Sequence, residues 1–308
     1  MTTSITTDSD QPKIRPAYAC HANLVQLTAR LETLVSEIAA SALSAEALAR
    51  SFDNGLDALA TVLRSVPIHE GRLLERGVSL LAELNPDLVV LSHNLRLPVT
   101  AAALQLVEKN SPHLYRSLTL DADIGARKSY TPDLLILNRQ TRIAHLVDIK
   151  RSLSSYEVSR IAELKNRMLA SALVVPDLLY KTHHRLVVED VRVVILNAEG
   201  QRSDIDGGIW PLSHLDHLLE VTGAGEALMV LRNIFQQRID ANWQVARSQM
   251  LSAGGTASPA ESGATLAQSA DNSDGEASDR GTDNGGGQAA DLQKMLRVGF
   301  ARVPARAH

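Results

Sequence analysis

The chain has 308 residues of which 44% are hydrophobic, enough apolar surface for one large core or two ordinary ones. Its formal net charge of -4 argues against a basic surface all round, and an aromatic content of 3% leaves few rings for stacking on single-stranded nucleic acid. Cys20 is the only cysteine, which excludes an internal disulfide and a multi-cysteine zinc site; with no apolar run of about eighteen residues and no secretion signal in residues 1–20, a soluble cytoplasmic protein with no membrane partner is expected.

Residues 1–20 read as a disordered N-terminus and 21–98 as a helical region. Leu24, Leu27, Leu31, Leu34 and Ile38 recur with helical spacing. After a cap at Ser44 a second stripe follows at Leu48, Phe52, Leu56, Leu59 and Leu63, so the spacing predicts two antiparallel helices and a third at about 70–84. Residues 99–250 read as an α/β domain, in which charge is balanced at 18 basic and 17 acidic groups over 100–250, leaving room for a local basic rim only.

That domain begins with a predicted helix at 99–109, where Val99, Ala103, Leu106 and Val107 repeat. SLTLDADIG, from Ser117, then alternates like a strand with one buried face. PDLLILN and IAHLVDIK are apolar on both faces, as central strands of a covered sheet are. A helix capped by Ser154 or Ser155 follows, with Val158, Ile161, Leu164, Met168 and Leu169 inward. RLVVEDVRVVILN is a strand, and helices are predicted at about 212–221 and 225–246. Residues 251–290 are Gly/Ser-rich and acidic and read as a disordered linker. Residues 291–308, with Leu292, Met295, Leu296 and Phe300 among basic residues, form a short amphipathic tail that reads as a frayed solubilising end or, in the competing reading, as a segment for a protein partner, for which the N-terminal helices are the other candidate.

The two central runs carry charges where buried strands should have none. If Arg139, Gln140, Thr141 and Arg142 form a hairpin loop, Asn138 faces Ile143, and counting outward sets Leu137 against Ala144, Leu135 against Leu146 and Asp133 against Asp148. Side chains alternate along a strand, so Lys150 shares the face of Asp148. A two-residue loop at the same centre keeps this register; an odd-length loop separates the carboxylates. Two opposed carboxylates raise each other's pKa unless a cation intervenes. Oxygen ligands without Cys or clustered His favour magnesium, with manganese as substitute, and leave positions for water and phosphate oxygens. The ammonium of Lys150 would orient or help deprotonate a water and stabilise charge on phosphate, which suits phosphodiester hydrolysis.

Pro132-Asp133, then fourteen residues, then Asp148-Ile149-Lys150, resembles the PD-(D/E)xK nuclease signature. The order helix, three strands, helix, strand over about Thr100 to Asn197 resembles the restriction-endonuclease-like core. The resemblance implies a mixed sheet flanked by helices, a metal-dependent nuclease acting on DNA in preference to RNA, metal ligands at Asp133 and Asp148, and a water-assisting Lys150. Many members add an acid from the helix before the first strand; Glu108 is the candidate here, Glu83 a poorer one. Arg127, Lys128, Arg151 and Arg160 flank the motif and are candidate phosphate contacts, although each taken singly also reads as a surface charge. The competing class is a catalytically inactive nuclease-like module that binds a protein or nucleic acid in a mobile-element or genome-maintenance system. His183-His184 reads as a solvated turn. Asp204-Ile205-Asp206-Gly207-Gly208 is rejected as a calcium loop because Leu215 stands where its glutamate would be. Trp210-Pro211 reads as a packing corner and Gly223-Ala224-Gly225 as a helix cap.

Overall fold

The computed structural model describes residues 18–40, 42–91, 95–115, 117–122, 128–183, 186–254 and 297–303. Arg127, His184, Arg185 and most of the expected linker lie outside them. The chain runs β1 (Cys20–His21), α1 (Leu24–Ala39), α2 (Ala45–Asp53), α3 (Leu56–Ala82), β2 (Leu88–Leu91), β3 (Leu97–Val99), α4 (Ala101–Lys109) and α5 (Pro112–Tyr115). It continues through β4 (Lys128–Tyr130), β5 (Leu134–Asn138), β6 (Ile143–Lys150), α6 (Val158–Ala172), α7 (Val175–Thr182) and β7 (Asp190–Asn197). After β8 (Ile209–Pro211) and a 3-10 turn (Leu212–His214) come α8 (Leu215–Leu219), β9 (Val221–Thr222), α9 (Ala224–Gly254) and β10 (Arg297–Phe300).

The result is a mixed α/β architecture: a multi-strand sheet with helices on both faces. In the main sheet β2, β5 and β6 form an antiparallel meander, and β7 lies parallel to β6. The outer edge of β7 is divided between β10, opposite Asp190–Val193, and β8, opposite Ile195–Asn197, both parallel to it. Alternate residues of the central strands feed two cores. Leu134, Ile136, Val147, Ile149, Val194 and Leu196 pack beneath α1, α3 and α9. Leu135, Leu137, Ala144, Leu146, Val193 and Ile195 pack beneath α4, α6 and α7. Covering both faces is what allows β5 and β6 to be apolar throughout. No described helix is long and apolar enough to cross a membrane.

Local chemistry explains most element ends. Asn23 Oδ1 accepts from the Val25 and Gln26 amides at the start of α1, Ser44 Oγ from Ala47 N at 3.2 Å, and Thr100 Oγ1 from Ala103 N at 3.1 Å. The break after Ser44 differs from expectation. It falls at Asn54-Gly55, where Gly55 takes φ 88°, and α3 then runs unbroken past Pro67 to Ala82. A left-handed glycine stops a helix more decisively than one proline, whose missing donor interrupts a single bond. Consequently Leu56 and Leu63 are 82% and 55% exposed instead of lining a core. α6 starts after Glu157, which makes no side-chain cap bond, so the expected serine cap is not used.

Two expectations about the sheet are corrected. Among the described residues Ser117–Ala122 form no strand: Leu118 is exposed and Leu120 N donates to Leu173 O at 2.9 Å, behind α6. The first strand of the meander is instead β2, and the helix that precedes it is α3, not α4.

Candidate active site

The site is built on the β5–β6 hairpin. Asn138 ends β5 and its Oδ1 accepts from Gln140 N at 2.9 Å and Thr141 N at 3.0 Å, the side chain standing in for a backbone turn. Arg142 takes φ 56°, and its guanidinium meets Glu189 at 2.5 Å, tying the loop to the start of β7. The register is the even one: Asn138 opposite Ile143, Leu137 opposite Ala144, Leu135 opposite Leu146 and Leu134 opposite Val147. One step further, just beyond the paired residues, stand Asp133 and Asp148. Both, with Lys150, project on the α6 side of the sheet.

The three side chains converge. Lys150 Nζ is in ion-pair contact with Asp148 Oδ1. Asp133 Oδ2 accepts from Ile149 N at 2.5 Å, which anchors its carboxyl beside the strand that carries Asp148. Tyr130, from β4, donates its hydroxyl to Asp148 Oδ2 at 2.8 Å. Asp148 is 4% exposed. Asp148 Oδ1 therefore faces the Lys150 ammonium and Oδ2 the Tyr130 hydroxyl. Directly opposite Lys150 in β7, Oδ1 of Asn197 is buried without a hydrogen-bond partner among the described residues.

Burial, and then the Asp148 carboxylate, pushes Asp133 up to about 7, against the opposing pull of the Ile149 amide and Lys150. For Lys150 burial works toward lowering, but Asp148 and Asp133 outweigh it and hold the ammonium above its usual range. Glu75, half-buried on α3, belongs to the same field. Burial raises its pKa, Lys150 and Arg72 lower it, and Asp148 raises it. Among the described acidic residues of α3, Glu75 is the one whose charge is felt by Lys150 and Asp148.

The residues suit a hard divalent cation in a limited way. Among the described residues no three His, Cys, Asp and Glu side chains form a ligand set. Two neighbouring carboxylates are a donor set of the kind that holds magnesium, which is commonly bound by one or two carboxylates with water and phosphate oxygens completing the shell.

The other anticipated residues are dispersed. Glu108 lies on α4 in a depression of about 370 Å³ with Lys128, Ser129, Glu163, Asn166 and Arg167 among its walls, and no contact with the aspartates is found among the described residues. Glu83 pairs with Arg30 at 2.6 Å on the surface. Arg151 is engaged by Glu199 at 3.2 Å and approaches Glu70 at 4.0 Å. Glu70 also receives Arg232 Nη2 at 2.7 Å, which fastens α9 to α3 beside the end of β6. Arg160 is exposed in the first turn of α6. Asp204 Oδ1 accepts from Gly207 N at 2.9 Å, so the Asp-Gly segment is a tight turn, and Trp210 is buried with Nε1 donating to Ile205 O at 3.1 Å. Asp216 receives the Gly223 and Gly225 amides at 2.8 Å, capping α9.

Sequence reasoning missed Glu75, Tyr130 and Asn197. Glu75 carried no signal of its own, because its closeness in charge to Lys150 and Asp148 depends on the packing of α3. Tyr130 carried no local signal, because its partner lies across a tertiary contact. No protein-family model, curated protein or solved structure matches the chain.

Proposed function

We propose that the protein is a magnesium-dependent nuclease of the PD-(D/E)xK type with a restriction-endonuclease-like core, acting on DNA in preference to RNA. The observation that carries this reading is the convergence of Asp133, Asp148 and Lys150 on one face at the end of the β5–β6 hairpin. The order α3, β2, β5, β6, α6, β7, with an antiparallel meander and a parallel fourth strand, supports it.

Asp133 and Asp148 would hold the cation, with Glu75 adding negative charge to the same field; when bound, it would neutralise the carboxylates and polarise a phosphate oxygen. Lys150 stays protonated beside the carboxylates, so its work is donation from Nζ: it orients the attacking water and faces the charge that develops on phosphate. Scarce aromatic residues favour recognition through the backbone phosphates of a duplex.

The test is cleavage of duplex and single-stranded DNA and of RNA with magnesium or manganese. Wild type cuts DNA, Asp133→Asn and Asp148→Asn abolish the cut, and Lys150→Ala slows it about 100-fold or more while substrate binding persists, since the lost interaction belongs to the transition state. If wild type and all three variants behave alike on every substrate, the inactive binding module replaces this reading.

A further inference from the structure

We infer that Tyr130 is a positioning residue for Asp148: its hydroxyl fixes Oδ2 and so directs Oδ1, beside the Lys150 ammonium, as the oxygen for a divalent cation. The inference rests on the nuclease reading and adds to it the residue that sets the geometry of one ligand.

Tyr130 closes β4, which pairs antiparallel with β3 in a two-stranded ribbon outside the main sheet, Leu97 opposite Tyr130. Its ring is 7% exposed and packs in the core shared with α4 and α6, so the hydroxyl has little freedom to swing away. The bond to Asp148 Oδ2 measures 2.8 Å, while Oδ1 faces the Lys150 ammonium. Each oxygen of this buried carboxylate is thereby given a different task. Burial and the neighbouring Asp148 and Asp133 carboxylates hold the phenol protonated far above neutral pH, so it remains a donor. A carboxylate fixed through one oxygen loses less orientational freedom when the other meets a cation, the general effect of a hydrogen-bonded supporting residue behind a ligand.

The ribbon also links this ligand to its surroundings. Lys128 and Ser129 of the same strand line the depression of about 370 Å³ together with Glu108 and Arg167, and Arg167 acts electrostatically on the Tyr130 hydroxyl. The strand that orients Asp148 is thus the strand that walls the neighbouring groove.

Tyr130→Phe keeps the ring and removes the donor. Titration of the full chain with manganese should give a dissociation constant about 10–100-fold weaker than wild type, the usual cost of losing such a supporting bond. The magnesium concentration for half-maximal DNA cleavage should rise by the same factor, whereas the rate at saturating magnesium recovers most of its wild-type value. A purely structural role would lower the melting temperature in EDTA without this metal-dependent recovery. In an Asp148→Asn background the further change Tyr130→Phe should leave manganese affinity unmoved, a control that is read within one pair of variants. Equal manganese affinity of wild type and Tyr130→Phe overturns this inference and spares the nuclease reading. Absence of manganese binding and of cleavage in the wild type overturns both.

Discussion

Two buried titratable residues give the metal-free protein opposite responses to pH. Burial, and then Arg192, lowers His145 to about 3 from the usual 6.5, so between those values the unfolded chain holds a proton that the folded chain refuses, and stability rises with pH. Asp133 works in reverse. With a carboxyl raised from 3.8 to about 7, the folded state holds the proton more tightly, and stability present below pH 4 is lost as pH rises toward 7. The windows overlap, so the wild type should show a shallow profile in EDTA between about pH 4 and 6.5. Asp133→Asn should expose the rising limb and His145→Gln the falling one, measured by urea denaturation across that range. Parallel profiles for the two variants would refute both assignments. Magnesium should flatten the falling limb, because a bound cation favours ionised Asp133. Glu75→Gln should raise the magnesium requirement for cleavage, in contrast to Glu108→Gln, which should leave it unchanged; equal effects would remove Glu75 from the site. That contrast was not legible in sequence. Helical spacing identifies which face of α3 is buried, but Glu75 sits beside that face, at a position defined only by how α3 crosses the end of β6.

At the scale of elements, the hairpin was legible because its register follows from parity: any even loop centred between Gln140 and Thr141 opposes the same residues. The false strand at Ser117 shows the weakness of the same signal. Alternation of Leu118 and Leu120 is necessary for a half-buried strand, yet a strand needs a partner edge, and the described part of this segment instead donates to Leu173 O at the end of α6 and to the Asp177 carboxylate of α7. β2 was overlooked for the opposite reason, since four apolar residues, all half-buried, show neither alternation nor a long run. The hairpin turn supplies a direct check. Asn138 is buried, caps the loop through Oδ1 and donates from Nδ2 to Glu220 Oε2 at 3.2 Å. Asn138→Ala leaves these groups unpaired and should destabilise the fold by about 1–3 kcal/mol in urea. It should also depress cleavage more than Gly55→Ala does. The latter strains a residue at φ 88° with open space around it, so it should cost about 1 kcal/mol without touching the site. Equal activity losses at equal stability would mean that the turn does not govern the site.

Across the whole molecule, the main sheet depends on a strand supplied from the far end of the chain. Arg297 N donates to Glu189 O at 2.8 Å and Ala301 N to Val193 O at 3.0 Å, so β10 satisfies the half of the β7 edge that β8 does not reach. Val298 and Ala301 are buried there, and Phe300 lies beneath Lys165, whose ammonium is 5.5 Å from the ring centre. The composition of the preceding linker gives no hint of this, and the tail read as a frayed end or a partner-binding segment; within it, Arg297–Phe300 pair with β7 of their own chain. A chain ending at Gly254 should lose about 2–4 kcal/mol, from the burial of one aliphatic residue and part of an aromatic one. It should also self-associate through the uncovered edge, seen as a concentration-dependent increase in sedimentation. Removing residues 262–283 should do neither. Residues 255–296 separate α9 from β10, and the roughly 20 residues left still span up to about 66 Å when extended. Unchanged melting of the chain ending at Gly254 would show that β10 is a passive passenger on the sheet. Equal losses in both deletions would mean that the acidic linker itself contributes to the fold.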